Sequence, residues 1–413
     1  MENQKLWTRD FTIITLGSVV SMFGNALSGF AMSLMVLDYT ESTLFYAIYL
    51  ASFTIPQIIM PIFSGAILDR FSRRKTIYTL DFLSSFLYLF AAFIIYRGLF
   101  SFPIFAIYVF IVGSINSVYL VAYQSFYPLL ITPGNFSKAY SISSVLETMS
   151  ALMVPVAAFV YNSVGITPLL FLNAISFFIA AVMETQIKEQ EEYIEIQKQN
   201  IQSTDSSKQF LTDIKEGFKF LKGDRGLLAI AIYFTFTSLG FGVSNVLVLP
   251  YYRSTFQTGE YIFMLVSGMS VLGRGLGGAL HYRMKIPAEK KFMIAMFVYV
   301  MTSLIEGSYF YFPILVGMVM CFITGILGVT SWTIRVSATQ SYVPNEMKGR
   351  FNGAFNMLNT VGSLTGQLLA GILSLRIPPR MVVSLFMAIT IISAFVVILG
   401  NKKDVALIYN RHQ

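Results

Sequence analysis

Asp69, Arg70, Arg73, Arg74 and Lys75 crowd into the stretch GAILDRFSRRK at 65–75, between two almost wholly apolar runs. Asp81, Glu147, Arg274 and Arg335 stand deeper in other apolar runs. Three kinds of chemistry suit such residues. A carboxylate at a helix end accepts hydrogen bonds from the unsatisfied N–H groups of an opposing helix N-terminus, where the macrodipole favours negative charge. An arginine fork holds a carboxylate in place through parallel hydrogen bonds. A carboxyl withdrawn from water takes up a proton more readily, and an arginine beside it opposes that uptake. Leaving one charge unpaired in hydrocarbon costs at least about 2.5 kcal/mol. Each of these side chains therefore needs a scaffold that positions it.

The scaffold is a set of membrane helices. The chain has 413 residues, of which 55% are hydrophobic and 12% charged, about half the charge of an ordinary soluble domain. Runs of about 20 apolar residues suffice to cross a bilayer. They occur near 11–37, 44–67, 76–96, 102–126, 140–161 and 167–185, and again near 226–250, 260–282, 292–311, 313–336, 351–375 and 379–399. The long polar stretch between the sixes divides the chain into 1–185, a linker 186–224 and 225–413. The first run is too long for the apolar core of a signal peptide, so it is kept as a span.

Orientation follows from the bases. With the N-terminus inside, Lys5, Arg9, the four bases of 70–75, Lys138, Arg283, Lys285, Lys290, Lys291, Lys348 and Arg350 are cytoplasmic. Arg97, Arg253, Arg376 and Arg380 are left outside. Both termini are then cytoplasmic. The net charge of +8 is spread over these short loops and not gathered on a face that would hold nucleic acid. The lone Cys321 excludes a disulfide framework within the chain and a CxxC metal or redox site.

An internal repeat relates the halves. QSFYP at 124–128 matches QSYVP at 340–344, Gly24 and Ser28 match Gly240 and Ser244, and SGAILDRF matches GGALHYRM. The second copy has Tyr282 in place of the acid Asp69. Parallel repeats of this kind occur in transporters whose substrate site lies at mid-membrane between the halves.

Gly65, Asp69, Arg70, Arg73 and Arg74 resemble the G-x-x-x-D-R-x-x-R-R signature of the loop between helices 2 and 3 of the major facilitator superfamily, with Ser72 at a position where that family usually has glycine. The finer resemblance is to the drug:proton antiporter branch that includes macrolide efflux proteins. It rests on DIKEGFKFLKGDRGL at 213–227, on Asp81, and on Pro155 with Gly362, Gly366 and Gly371; Val154 and Gln367 replace an expected glycine and proline. What the resemblance implies is a latch: Asp69, held with Asp81 by Arg70 and Arg74, accepts N–H groups at the start of helix 11 near Gly349, Arg350 and Asn352 when the cytoplasmic side shuts. Arg73 and Lys75 are read as solvated, positive-inside bases.

Depth separates the remaining charges. Asp81, Glu147 and Arg274 lie about 7.5, 10 and 13 Å into their helices at about 1.5 Å per residue. The resemblance sets helices 5 and 8 face to face, which makes Glu147 and Arg274 an inter-half ion pair and Glu147 the leading proton-coupling acid, with Asp81 second. Equally open is the reading in which each faces its own half, since a sequence gives depth but not rotation. Glu184, Glu306 and Asp38 fall at span ends, within reach of water. The resemblance also places helices 1, 4, 7 and 10 around a cavity. Asn25, Asn116, Tyr119, Tyr123, Asn245, Trp332 and Arg335 are then its wall, with Trp332 and Arg335 three apart on one face. A span tyrosine or asparagine is as readily a helix-packing residue.

GRGLGG at 273–278 fits a dinucleotide fingerprint in letters only, since no strand precedes it; close helix packing explains its glycines. No P-loop is present. Phe210, Ile214, Phe218 and Leu221 recur at helical spacing in the linker with lysines around them, as in a helix lying on the inner leaflet or one packed on the floor of the bundle. The expectation is an all-α membrane protein with twelve transmembrane helices in two pseudo-symmetric six-helix bundles. Its work is proton-coupled export of hydrophobic or amphipathic small molecules by alternating access, as a monomer without cofactor or metal in a bacterial plasma membrane. The alternatives are a dedicated carrier of a lipid, siderophore or peptide, and a membrane protein that binds without transporting. Enzymatic chemistry is not expected.

Overall fold

The computed structural model describes residues 5–132, 135, 138–139, 142–143, 146, 149–150, 153–188, 206–283 and 287–411, without the side chains of 62, 65–67, 69–70, 206–211 and 282–283. Among the described residues there are fourteen α-helices and no strand. They are α1 (Arg9–Thr40), α2 (Thr43–Arg70), α3 (Arg73–Tyr96), α4 (Phe102–Phe126), α5 (Met153–Val164), α6 (Thr167–Glu184) and α7 (Ser206–Gly223). Then follow α8 (Arg225–Thr255), α9 (Gly259–Arg283), α10 (Lys291–Ser308), α11 (Ile314–Tyr342), α12 (Asn345–Leu373), α13 (Pro379–Ser393) and α14 (Lys402–Tyr409).

Local sequence sets the helix ends. Thr8 caps α1 by accepting the Phe11 N–H at 3.1 Å, Ser72 does the same for Lys75 on α3, and Asp224 for Leu227 on α8. Each satisfies one of the donors that a helix start leaves open. Gly98 and Gly165, at φ of 72° and 80°, end α3 and α5 in the left-handed conformation that costs glycine little. Pro56 and Pro61 lie inside α2 and Pro250 inside α8, as membrane helices tolerate when neighbours satisfy the freed carbonyls.

Ten helices among the described residues are long and apolar enough to cross a membrane. The fifth expected span is represented by α5, the rest of its run lying partly outside the described residues. The eleventh is α12, whose 29 residues reach about 43 Å. Asn352, Asn356, Asn359 and Gln367 lower its hydropathy. Phe86, Phe93, Leu315 and Val396 are among many large apolar side chains left exposed, an outer surface that suits lipid and not water.

The chain forms two compact units. Unit 1 comprises Met1–Glu41 and Ser52–Phe210; unit 2 comprises Ser42–Ala51 and Leu211–Gln413. In unit 1, α1 packs on α5 and α6, and α3 on α6 and α4. In unit 2, α8 packs on α12 and α13, and α10 on α13 and α11. The sequence repeat thus reappears as a repeated pairing, and the matched glycines serve it in both copies. A Cβ on Gly24 would run into Asn173 and Ser176 of α6, and one on Gly240 would meet Met387 and Thr390 of α13 at 3.3 Å. In unit 2 the first residues of α2 lie against α12, where a Cβ on Gly371 would come within 2.5 Å of the Ala47 methyl.

The linker question is answered within unit 2. Leu221 is buried and Phe218 and Phe220 pack on the core formed by Leu227, Tyr233, Phe351 and Phe355. Arg350 of α12 pairs with Asp213 at 2.9 Å and Glu216 at 2.7 Å, and Gly217 lies against the Arg350 carbonyl. α7 is therefore a helix docked on the bundle, with Lys215, Lys219 and Lys222 turned outward.

Candidate transport site

The signature loop is built from helix ends. Gly65, Asp69 and Arg70 lie on the helical backbone of α2, with side chains outside the described set. Arg73 was expected to be solvated, and the structure corrects this: its Nη1 donates to the Ser125 carbonyl at 3.1 Å, at the C-terminal end of α4 where the macrodipole favours a cation. Arg74 donates to the Ile187 carbonyl just past α6. Lys75 is exposed, as expected. On α12, Gly349 has open space around it and Arg350 is engaged by α7.

Asp81 is 1% exposed, and the group that faces it within hydrogen-bonding reach is Glu184. Glu184 corrects the sequence expectation: it is 0% exposed. The chain after α6 runs on alongside the first turns of α1. Ile187 is buried in the core with Phe11 and Phe126, and the Lys188 N–H donates to Asp10 at 3.0 Å. Gly17 of α1 leaves the room: a Cβ there would lie 3.5 Å from Glu184 Oε1. Tyr119 of α4 lies beside both carboxyls and within hydrogen-bonding reach of Ser18. It heads a stack with Tyr123 and Tyr127, with ring centroids 5.9 and 5.2 Å apart.

A self-satisfied polar seam continues from this point between α1 and α6. Asn173 Nδ2 donates to Ser28 at 2.7 Å and to Asn25 Oδ1 at 3.3 Å, while Ser176 donates to Asn173 Oδ1 at 3.0 Å. Asn25 thus spends its amide oxygen on helix packing. Tyr88 of α3 reaches the same Ser28 and Asn173.

Unit 2 holds the other deep charges. Arg335 of α11 lies between two rings, 5.1 Å from the Phe234 centroid and 4.8 Å from that of Phe355. Near it, Tyr299 and Tyr409 pair through their hydroxyls at 2.7 Å. Arg335 Nε is buried without a hydrogen-bond acceptor among the described residues. Trp332 does not share this setting; it is 60% exposed. Asn245 is exposed on α8 and Asn116 half-buried on α4. Arg274 is exposed on α9 and close enough to Glu306 of α10 to act on it electrostatically. Its expected partner Glu147 lies outside the described residues. Two of the four GRGLGG glycines serve packing: Gly273 abuts the Phe322 carbonyl of α11, and a Cβ on Gly277 would sit 3.1 Å from Ile326, whereas Gly275 and Gly278 have open space there.

Sequence reasoning missed Glu184 as a buried group and missed Phe234, Phe355, Tyr299 and Tyr409 around Arg335. For Glu184 a signal was present. Asn173, Ser176 and Glu184 recur on one face of α6, and Gly17, Ser21, Gly24 and Ser28 recur on one face of α1; two such small or polar stripes are how membrane helices approach closely. The rings around Arg335 come from separate helices and left no local pattern.

Comparison with known proteins agrees with this architecture. The chain is 21% identical over 294 residues to the uncharacterized MFS-type transporter YkuC of Bacillus subtilis (strain 168), covering 68% of each chain. It is 25% identical over 364 residues to the uncharacterized MFS-type transporter YfiS of the same organism, covering 83% of this chain and 81% of YfiS. Among solved structures it is similar to the nucleoside transporter NupG, with TM-score 0.68, 13% identity and coverage of 94% of this chain and 98% of NupG. A D-xylose-proton symporter gives TM-score 0.66, 14% identity and coverage of 95% and 97%. These structural likenesses show a common fold. The family profile described as Major Facilitator Superfamily matches residues 14–366. With that match over most of its length, the chain belongs to the Major Facilitator Superfamily, a family of multi-pass membrane transporters of small molecules and not of enzymes.

Proposed function

We propose that this protein is a proton-coupled exporter of hydrophobic or amphipathic small molecules, of the drug:proton antiporter kind, acting in a bacterial plasma membrane with both termini cytoplasmic. Residues 1–185 and 225–413 act as the two moving halves and 186–224 as the strap between them. Arg335 carries the reading. A guanidinium held against the rings of Phe234 and Phe355 on a half-exposed side chain sets aromatic rings and a fixed charge side by side, which is what a flat amphipathic compound needs. Tyr123, Asn116, Asn245 and Trp332 complete the wall of the cavity. Asp69, with Gly65, Arg70 and Arg74, latches the cytoplasmic side on the start of α12 near Gly349 and Arg350. Protons are the coupling ion and the protein works as a monomer.

Accumulation of a fluorescent amphipathic compound without net positive charge in cells with and without the protein tests the proposal. The expected result is lower accumulation in expressing cells, abolished by a protonophore and by Arg335→Ala. Equal accumulation with and without the protein, together with uptake of a nucleoside or pentose, would overturn it.

A further inference from the structure

We infer that Asp81 and Glu184 together form a single-proton binding site closed inside unit 1, in which the two carboxyls hold one proton between them. The geometry carries this. Both side chains are buried, at 1% and 0% exposure, and face each other across the α3–α6 contact. Asp81 Oδ2 and both Glu184 oxygens are buried with no donor reaching them from the described residues. Two ionised carboxylates at such range in a dehydrated site repel each other and leave those lone pairs unsatisfied. One proton cures both faults: the protonated carboxyl donates to its ionised partner, in the manner of any carboxyl dyad that cannot ionise twice. The step balances as two carboxylates and one H⁺ giving one carboxylic acid hydrogen-bonded to one carboxylate.

Among the described residues the surroundings do not supply another cure. From α4, Tyr119 lies beside the pair and is within reach of Ser18 on α1. The described bases nearest in sequence are directed elsewhere, Arg73 to the Ser125 carbonyl and Arg74 to that of Ile187. Asp10 of α1 accepts the Lys188 N–H. From α5, Tyr161 donates to Asp38 at the other end of α1. The amides and hydroxyls of the α1–α6 seam pair among themselves. The site also explains Gly17, since the Glu184 carboxyl occupies the space beside it. Its use as the coupling site rests on the transporter reading above; that the pair binds a proton does not.

The experiment uses the full-length protein in lipid nanodiscs and infrared difference spectroscopy of the carboxylic-acid C=O stretch between about pH 5 and pH 9, with folding checked by thermal unfolding. An acid band present at neutral pH in the wild type, lost in both Asp81→Asn and Glu184→Gln and kept in Glu289→Gln, an exposed acid, supports the site. The amides donate a hydrogen bond as the protonated acid would, so both variants are expected to fold. Absence of the band in the wild type, or its survival in both single variants, would overturn the proposal, as would loss of the band on adding Na⁺ at constant pH, which would make the pair a sodium site. Proton-driven efflux is measured on the same variants. If the band behaves as expected while no variant or wild type transports, the transporter reading fails and the proton site stands.

Discussion

Removing the apolar anchor of α7 should free this helix, whereas cutting its ion pairs should not. Arg350 meets Asp213 and Glu216 at 2.9 and 2.7 Å, but the three side chains are 35%, 37% and 45% exposed. Half-exposed pairs of this kind contribute about 0.2–1 kcal/mol each, so Arg350→Ala should loosen α7 by about 1 kcal/mol. Leu221 is 1% exposed in the core with Leu227 and Tyr233, and truncating such a leucine to alanine costs about 2–5 kcal/mol. If α7 opens locally, even about 2 kcal/mol raises its amide exchange about 30-fold. Hydrogen exchange of the α7 amides, read by mass spectrometry in detergent, should show that acceleration in Leu221→Ala and only a few-fold change in Arg350→Ala. The reverse order, with α7 freed by Arg350→Ala and held in Leu221→Ala, would refute docking by packing.

Three further outcomes follow from the same contacts. Gly24→Ala should lower the unfolding temperature, because overpacking costs about 1–3 kcal/mol and the Ser176–Asn173 bond at 3.0 Å must yield; Gly29→Ala, with nothing within 4 Å of its Cβ, is the control and should not lower it in the same melt. Arg335→Lys keeps the charge but gives up the guanidinium contacts with the Phe234 and Phe355 rings, at about 0.5–1 kcal/mol each or more. Its KM for efflux should rise about fivefold, and an unchanged KM would remove Arg335 from the substrate path. For Arg274, charge reversal should be rescued by Glu306→Lys, its electrostatic neighbour; rescue by Glu147→Lys instead, in a cell-based efflux assay with expression matched, would restore the inter-half pair.

The spans were legible because hydrophobic length and loop charge are one-dimensional properties. The repeat was legible too, and Gly24 and Gly240 stand at equivalent helix contacts as their spacing implied. Rotation about a helix axis was not legible. Glu184 ends an apolar run beside Thr185 and Gln186, which reads as an exposed end, yet it faces Gly17 of α1 and the chain beyond it stays packed along that helix through Ile187 and the Lys188–Asp10 bond. Arg335 was read with Trp332 from a three-residue spacing, but the rings that hold it come from α8 and α12. Such partners meet only when the bundle forms. The linker pattern gave an amphipathic helix and could not say whether its apolar stripe met lipid or protein; the close approach of Gly217 to Arg350 decides for protein.

Proton-coupled export means that substrate leaves in exchange for protons. Purified protein reconstituted into liposomes with a pH-sensitive dye in the lumen reads that exchange in a single assay. Adding an amphipathic substrate on one side should move protons the opposite way, at a rate that saturates with substrate and is lost in Asp81→Asn and Glu184→Gln. Saturable substrate movement with no accompanying change in luminal pH would be incompatible with the exchange.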